Sequence, residues 1–130
     1  GNREIIDLLN RIKPPYNISI LNQEAGLNAL NLNIIKSQVM QILTEREQLT
    51  EALRTIHSVE KVFPSEANFL LVRIKQATQC YAFLKANGII VRDRSYEPLC
   101  MGCLRISIGT HQENQRLLQT LKKFKPDQAL

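Results

Sequence analysis

The chain has 130 residues, of which 44% are hydrophobic and 22% charged, a composition typical of a globular domain or of a part of one. No apolar run approaches the roughly 20 residues of a membrane-spanning helix, and the first residues lack the apolar core of a signal peptide. Three cysteines, an odd number, predict a reducing compartment rather than a disulfide scaffold. Because the first residue is Gly1 rather than Met, we expect the chain to begin within a longer protein.

Positive charge is concentrated in the second half of the chain. The net charge is +5; residues 67–130 carry ten Lys and Arg against four Asp and Glu, whereas residues 1–66 carry seven against eight. Such an excess indicates an anionic partner, either a nucleic acid, an acidic surface or a phosphorylated or carboxylated small molecule. A solvated basic surface without a ligand is the alternative.

Three helices are predicted in the first half. The first begins at Asn2 and ends before Pro14, because two consecutive prolines cannot continue a helix. The second runs from Ser19 to about residue 30, and the third, residues 33–57, is longer than a domain of this size needs. We interpret the third as a helix that bridges two lobes, with a coiled-coil-like hairpin as the alternative. Its apolar stripe comprises Ile35, Val39, Ile42, Leu49, Leu53 and Ile56.

Short strands and two helices follow. Strands are predicted over residues 59–63, 68–74, 89–91 and 103–109, and helices over residues 76–87 and from residue 111 onward. Thr110 and Glu113 have the spacing of a capping box. The predicted core positions of these helices are Cys80, Phe83, Leu84, Leu117, Leu118, Leu121 and Phe124.

The order of elements predicts the fold class. Helices followed by β-β-α-β-β-α indicate an α/β chain of the two-layer α+β kind. We expect a long connecting helix and then a small, mostly antiparallel sheet with its helices packed on one face.

Two kinds of site receive little support from the sequence. Cys100 and Cys103 form a CxxC pair, but no second pair completes a zinc site, and His57 and His111 are isolated. We therefore interpret both as loop cysteines and predict no metal site. Aromatic residues make up only 5% of the chain and Trp is absent, so no nucleic-acid partner is expected.

Arginines are the better candidates for binding a ligand. Strand alternation puts Leu104 and Ile106 on one side of the last strand and Arg105 on the other, away from the core. Arg92 lies on the neighbouring run. A guanidinium is a planar donor fork that suits carboxylate or phosphate, although periodicity alone favours plain surface arginines.

Four segments resemble the histidinol-phosphate aminotransferase family in order and spacing. They are KPPYN at 13–17, FPSEANFLLVR at 63–73, GIIVRDR at 88–94 and CLRISIGT at 103–110. The resemblance covers essentially the whole chain but only the C-terminal third of that enzyme. It implies the small domain of a fold-type I transaminase, a cytoplasmic homodimer that transfers an amino group between histidinol phosphate and 2-oxoglutarate in histidine biosynthesis. It also implies three parts: residues 1–32 as the tail of the large domain, 33–57 as the inter-domain helix and 58–130 as the small domain.

The resemblance also assigns site residues. Arg105 matches the arginine that binds the substrate α-carboxylate, and Arg92 matches one near the phosphate-bearing end of the substrate. Asn68, Tyr16 and Asn17 are candidate site-lining residues. The lysine that forms the Schiff base with pyridoxal 5′-phosphate, and most residues that hold this cofactor, belong to the large domain, so no catalytic residue is expected in this chain.

The chain alone is therefore expected to be inactive, with small-molecule partners and neither nucleic acid nor membrane. Two alternatives remain open. One is another pyridoxal-phosphate transaminase of the class II type, acting on aromatic amino acids or threonine phosphate. The other is a free-standing anion-binding or interaction module.

Overall fold

The computed structural model describes residues 1–14 and 18–126, and the predicted site residues Tyr16 and Asn17 lie outside them. The helices are α1 (Arg3–Ile12), α2 (Ile20–Ala29), α3 (Leu32–Arg54), α4 (Ala77–Ala86) and α5 (His111–Leu121), and the strands are β1 (Val59–Val62), β2 (Phe69–Ile74), β3 (Arg92–Asp93) and β4 (Cys103–Ser107). The predicted order of elements is confirmed. Contacts divide the chain into two units, Gly1–Lys36 and Ser37–Leu130.

The first unit consists of helices, and none of its described residues is buried. Asn2 caps α1 by accepting a hydrogen bond from the N–H of Glu4 at 3.0 Å, and Ser19 caps α2 by accepting one from Asn22 at 3.2 Å. Neither helix buries a residue, and the apolar side chains on one face of α1, Ile5, Leu8, Leu9 and Ile12, are exposed. Across the described part of the chain, no helix is both long enough and apolar enough to cross a membrane.

The second unit contains a four-stranded sheet with the strand order β1-β2-β4-β3, in which every neighbouring pair is antiparallel. Alternation along β2 and β4 gives the sheet one apolar face. The residues buried on that face are Leu70, Val72, Ile74, Leu104 and Ile106. The predicted antiparallel two-layer arrangement is therefore correct.

Three helices cover this face, one more than the two predicted. Cys80 and Leu84 of α4 and the predicted leucines of α5 are buried, and Phe83 packs against Phe124 with ring centres 5.6 Å apart. The end of α3 adds Leu49 and Leu53 to the same core. Earlier in the α3 stripe, however, Val39 is 48% exposed, so only the C-terminal half of the helix packs on the sheet.

One predicted strand is displaced. Residues 89–91 are not paired, and β3 is Arg92–Asp93 instead. The N–H of Ile89 donates to the carbonyl of Leu84 at 2.9 Å, and Gly88 adopts φ +73°, so these residues still belong to the closure of α4. Apolar content alone suggested a strand there, but the helix end uses the backbone groups that a strand would need.

The predicted capping box at the start of α5 is confirmed. The N–H and hydroxyl of Thr110 both donate to the carboxylate of Glu113 at 2.8 Å, and the N–H of Glu113 donates back to the hydroxyl at 3.4 Å. These bonds to Thr110, the backbone bond first, lower the pKa of Glu113. The stabilisation from Glu113 is therefore fully present above its unfolded-state pKa and is lost as the pH falls through its lower folded-state pKa.

Removing the cap should have a measurable cost. Thr110→Ala is expected to lower the free energy of unfolding by about 1 kcal/mol at pH 7, measured by denaturant titration of the chain. The effect of Glu113→Gln should shrink as the pH is lowered through the depressed pKa of Glu113. Gln115→Ala, on an exposed position of α5, is the control. A Glu113→Gln effect that grows in acid would contradict this account.

Candidate functional site

The sheet face opposite the core carries a group of cations and aromatic rings. Arg92 lies directly across from Arg105, and Lys61 directly across from Arg73. Side chains of directly opposed residues share a face. The residues of this face, which we call the basic sheet face, are Lys61, Phe63, Phe69, Leu71, Arg73, Arg92 and Arg105.

Arg92 and Arg105 form the centre of the candidate site. Arg105 is half-buried and points away from the core, as predicted, and Arg92 beside it is exposed. Within residues 1–14 and 18–126, no carboxylate forms an ion pair with either arginine. Two like charges on directly opposed strand positions repel each other, so a bound oxyanion would be stabilised by both.

The ring of Phe69 makes a cation–π contact with the guanidinium of Arg105. The guanidinium carbon of Arg105 lies 5.0 Å from the centre of the Phe69 ring. A cation–π contact of this kind holds the guanidinium near the ring while leaving its terminal N–H groups free for an acceptor. The Nε atom of Arg105 is buried and has no hydrogen-bond partner. The arrangement therefore orients one guanidinium without using its terminal donors.

Hydrogen bonds to two of its backbone carbonyls hold the segment before Phe69 in place. Arg46 of α3 donates to the carbonyl of Ala67 at 3.1 Å, and the N–H of Ile108 donates to the carbonyl of Asn68 at 2.8 Å. Strand alternation puts Asn68 on the opposite side of the sheet from Phe69. The structure thus brings Arg92 and Arg105 together but does not bring the Asn68 side chain onto the basic sheet face.

Sequence reasoning missed the other two cations on this face. Lys61 and Arg73 flank Phe63, with the Lys61 Nζ atom 4.8 Å and the Arg73 guanidinium carbon 5.4 Å from the ring centre. Alternation along β2 was a usable signal, because Arg73 falls on the same side as Phe69. Their grouping with Arg105 depends on the register between strands, which no local pattern shows.

Two cavities of the second unit do not suit an anionic cofactor. The first, of about 380 Å³, is lined by Glu45 and Glu113, whose carboxylates would repel a phosphate. The second, of about 260 Å³, is mostly apolar, and its Arg116 already donates to the carbonyl of Asn87 at 2.9 Å. No lysine lines either cavity. Neither of these two cavities therefore fits pyridoxal phosphate.

The three cysteines are free thiols, and two of them are buried. Cys103 lies in β4 and is fully buried rather than in a loop, whereas Cys100 lies in the preceding turn and is partly exposed. Burial raises the pKa of Cys80 to about 12, which keeps that thiol protonated and unreactive. In the described residues, no group of three or more His, Cys, Asp or Glu could hold a metal ion.

Serine substitutions at the two cysteines of the CxxC pair should change the free energy of unfolding by different amounts. Cys103→Ser is expected to lower the free energy of unfolding by about 1–3 kcal/mol, because it places a more polar group at a fully buried position. Cys100→Ser should change it by less than about 0.5 kcal/mol. Elemental analysis of the unmodified chain should find no stoichiometric zinc. Equal losses from both substitutions together with bound zinc would indicate a metal site instead.

Comparisons of the sequence and of the structure with known proteins each match aminotransferases. The family model described as aminotransferase class I and II matches residues 1–121. The histidinol-phosphate aminotransferase of Flavobacterium psychrophilum is 45% identical over 118 residues, covering 91% of this chain and 34% of that protein. The crystal structure of the histidinol-phosphate aminotransferase from Clostridium acetobutylicum matches with a TM-score of 0.86 and 27% identity, over 93% of this chain and 37% of that one. A putative aminotransferase from Burkholderia pseudomallei matches with a TM-score of 0.81 and 31% identity, over 92% and 37%.

These matches extend over nearly all of the chain. They include the small antiparallel sheet and its helices, so the predicted fold, that of a fold-type I transaminase small domain, is confirmed. The chain spans about a third of the length of the curated relatives it matches. With its fold and its sequence in agreement, the chain belongs to the aminotransferase class I and II family.

Proposed function

We propose that the chain is the C-terminal part of a histidinol-phosphate aminotransferase and that its basic sheet face binds the anionic group of the substrate. The names of its relatives support the enzyme class. The observation that carries the site is the Arg92–Arg105 pair, two opposed arginines on an open face without an ion-pair partner among the described residues.

The chemistry of the substrates suits this pair. Histidinol phosphate carries its phosphate ester, through a CH2–O link, on the carbon that carries the α-carboxylate in an amino acid. One position must therefore accept a phosphate in one half-reaction and a carboxylate in the other. Arg92 and Arg105 together offer enough donors for either group. We infer that both arginines hold the same anion, rather than opposite ends of the substrate.

The remaining parts of the enzyme are assigned outside this chain. When bound, pyridoxal phosphate supplies the electron sink for amino transfer. We propose that it is held by the large domain, that the enzyme is a homodimer and that it acts in the cytoplasm, in keeping with three free cysteines. The residues of this chain bind and orient the substrate: Arg92 and Arg105 hold the anion, and the Phe69 ring contacts the Arg105 guanidinium.

The isolated chain should not bind the cofactor in a specific way. The lysines of the chain line neither of the two cavities described above, so neither cavity positions an amine to form a Schiff base with the cofactor. Mixing the chain with pyridoxal phosphate and trapping with borohydride should give only scattered, substoichiometric lysine modification by mass spectrometry. One stoichiometric adduct at a single lysine would contradict the assignment of the cofactor site to the large domain.

An assay of the full-length enzyme tests the proposed function. We expect kcat/KM for histidinol phosphate to exceed that for histidinol by at least about a hundredfold, because histidinol lacks the anion that two arginines hold. Threonine phosphate and phenylalanine serve as competing amino donors. A preference for either over histidinol phosphate would point to another class II transaminase, and no transamination at all would point to an interaction module.

A further inference from the structure

A second cation cluster lies on the basic sheet face, one row along the strands from Arg105. It consists of Lys61 and Arg73, directly opposed across β1 and β2, whose charged ends both lie near the ring of Phe63. Both cations lie within 5.4 Å of the centre of that one ring. Ring contact holds the heads of two long side chains that would otherwise be free to move.

This second cluster also lacks a counter-ion. Within the described ranges, no carboxylate pairs with Lys61 or Arg73, and the Nε atom of Arg73 is buried without a hydrogen-bond partner. Two opposed cations repel, so an oxyanion bound above them would stabilise the cluster further. Arg94 differs, because it already pairs with Glu97.

The spacing of the two clusters suits a short dicarboxylate. Arg105 lies opposite Leu71, and Arg73 is two residues further along β2, a step of about 7 Å. Leu71 separates the clusters with an apolar surface. A five-carbon dicarboxylate has the same pattern, since two oxyanions are joined by a short, mostly apolar chain. Histidinol phosphate has only one anionic end and would use only one cluster.

We propose that Lys61 and Arg73 form a second carboxylate subsite, which holds the distal carboxylate of a dicarboxylate amino acceptor while Arg92 and Arg105 hold the proximal one. This inference rests on the proposed function, in which 2-oxoglutarate is that acceptor. It makes Arg73 a specificity-determining residue for the acceptor and not for the amino donor.

Binding to the chain itself tests the subsite without any catalysis. Glutarate and butyrate have comparable carbon chains but carry two carboxylates and one. In NMR titrations of the ¹⁵N-labelled chain, glutarate should bind roughly tenfold more tightly than butyrate and shift Arg73 and Phe63 signals as well as Arg105. Arg73→Gln and Lys61→Gln should abolish the difference. Arg54→Gln, which removes one charge from an exposed helix position, should retain it.

The full-length enzyme provides a second measurement. Arg73→Gln should raise KM for 2-oxoglutarate roughly tenfold and leave kcat/KM for histidinol phosphate within about twofold. An active enzyme whose KM for 2-oxoglutarate is unchanged, or equal binding of glutarate and butyrate to the chain, would overturn the subsite. An unmodified enzyme without transaminase activity would instead overturn the proposed function, and the titration would still decide whether the subsite exists. Because Lys61 is exposed, Lys61→Gln keeps the test valid if Arg73→Gln fails to fold.

Discussion

Replacing Arg105 with Ala in the full-length enzyme is expected to lower kcat/KM by two to four orders of magnitude for both histidinol phosphate and 2-oxoglutarate. Each substrate presents an oxyanion at the same position, so both half-reactions lose the same contact. Removing one partner of a desolvated guanidinium–oxyanion pair costs about 3–5 kcal/mol, which corresponds to that loss of rate. Steady-state kinetics of each half-reaction measures the effect.

Two controls separate binding from folding. Arg105→Lys should restore little activity, because an ammonium cannot reproduce the planar fork. The free energy of unfolding should change by less than about 1 kcal/mol in Arg105→Ala, since the substitution loses one contact with Phe69 and removes an unpartnered buried Nε. Near-normal turnover would remove Arg105 from the site. A large loss of stability would show instead that its role is structural.

The largest effect on stability is expected from Leu53→Ala. Leu53 of α3 is 0% exposed and belongs to the core beneath the sheet. Truncating a fully buried leucine removes apolar contact and leaves a cavity, so the free energy of unfolding should fall by about 2–5 kcal/mol in denaturant titration. Leu43→Ala makes the same chemical change on the same helix, at a position that is 38% exposed, and should cost less than about 1 kcal/mol.

This pair of substitutions tests how α3 is used. If both leucines cost the same small amount, the C-terminal half of α3 is not part of the core, and the sheet unit is stabilised by α4 and α5 alone. If Leu43→Ala costs as much as Leu53→Ala, the exposed half of the helix is packed in solution. Either result would contradict the division of α3 into a buried and an exposed half.

Features that depend on neighbours in sequence could be predicted well. The capping box at Thr110, the apolar stripe of α5 and the outward direction of Arg105 each follow from a spacing of two, three or four residues. The order of elements follows from the change of apolar period after α3. Such local patterns determine backbone geometry directly, so the sequence is sufficient for them.

Features that depend on strand pairing could not be predicted. The Lys61–Arg73 and Arg92–Arg105 oppositions arise from the register of separate strands, and a slip of one residue would move every side chain to the other face. The strand predicted at residues 89–91 failed because the end of α4 uses the backbone of Ile89. The burial of only half of the α3 stripe likewise depends on where the sheet lies and not on the helix period.

The most direct test is a crystal structure of the full-length enzyme with histidinol phosphate bound. We expect the phosphate to lie on the basic sheet face, within hydrogen-bond distance of the guanidinium groups of both Arg92 and Arg105. The Phe69 ring should still contact the guanidinium of Arg105. A phosphate bound elsewhere, with both guanidinium groups facing solvent or a carboxylate of the enzyme, would contradict the assignment of this face as the substrate-anion site.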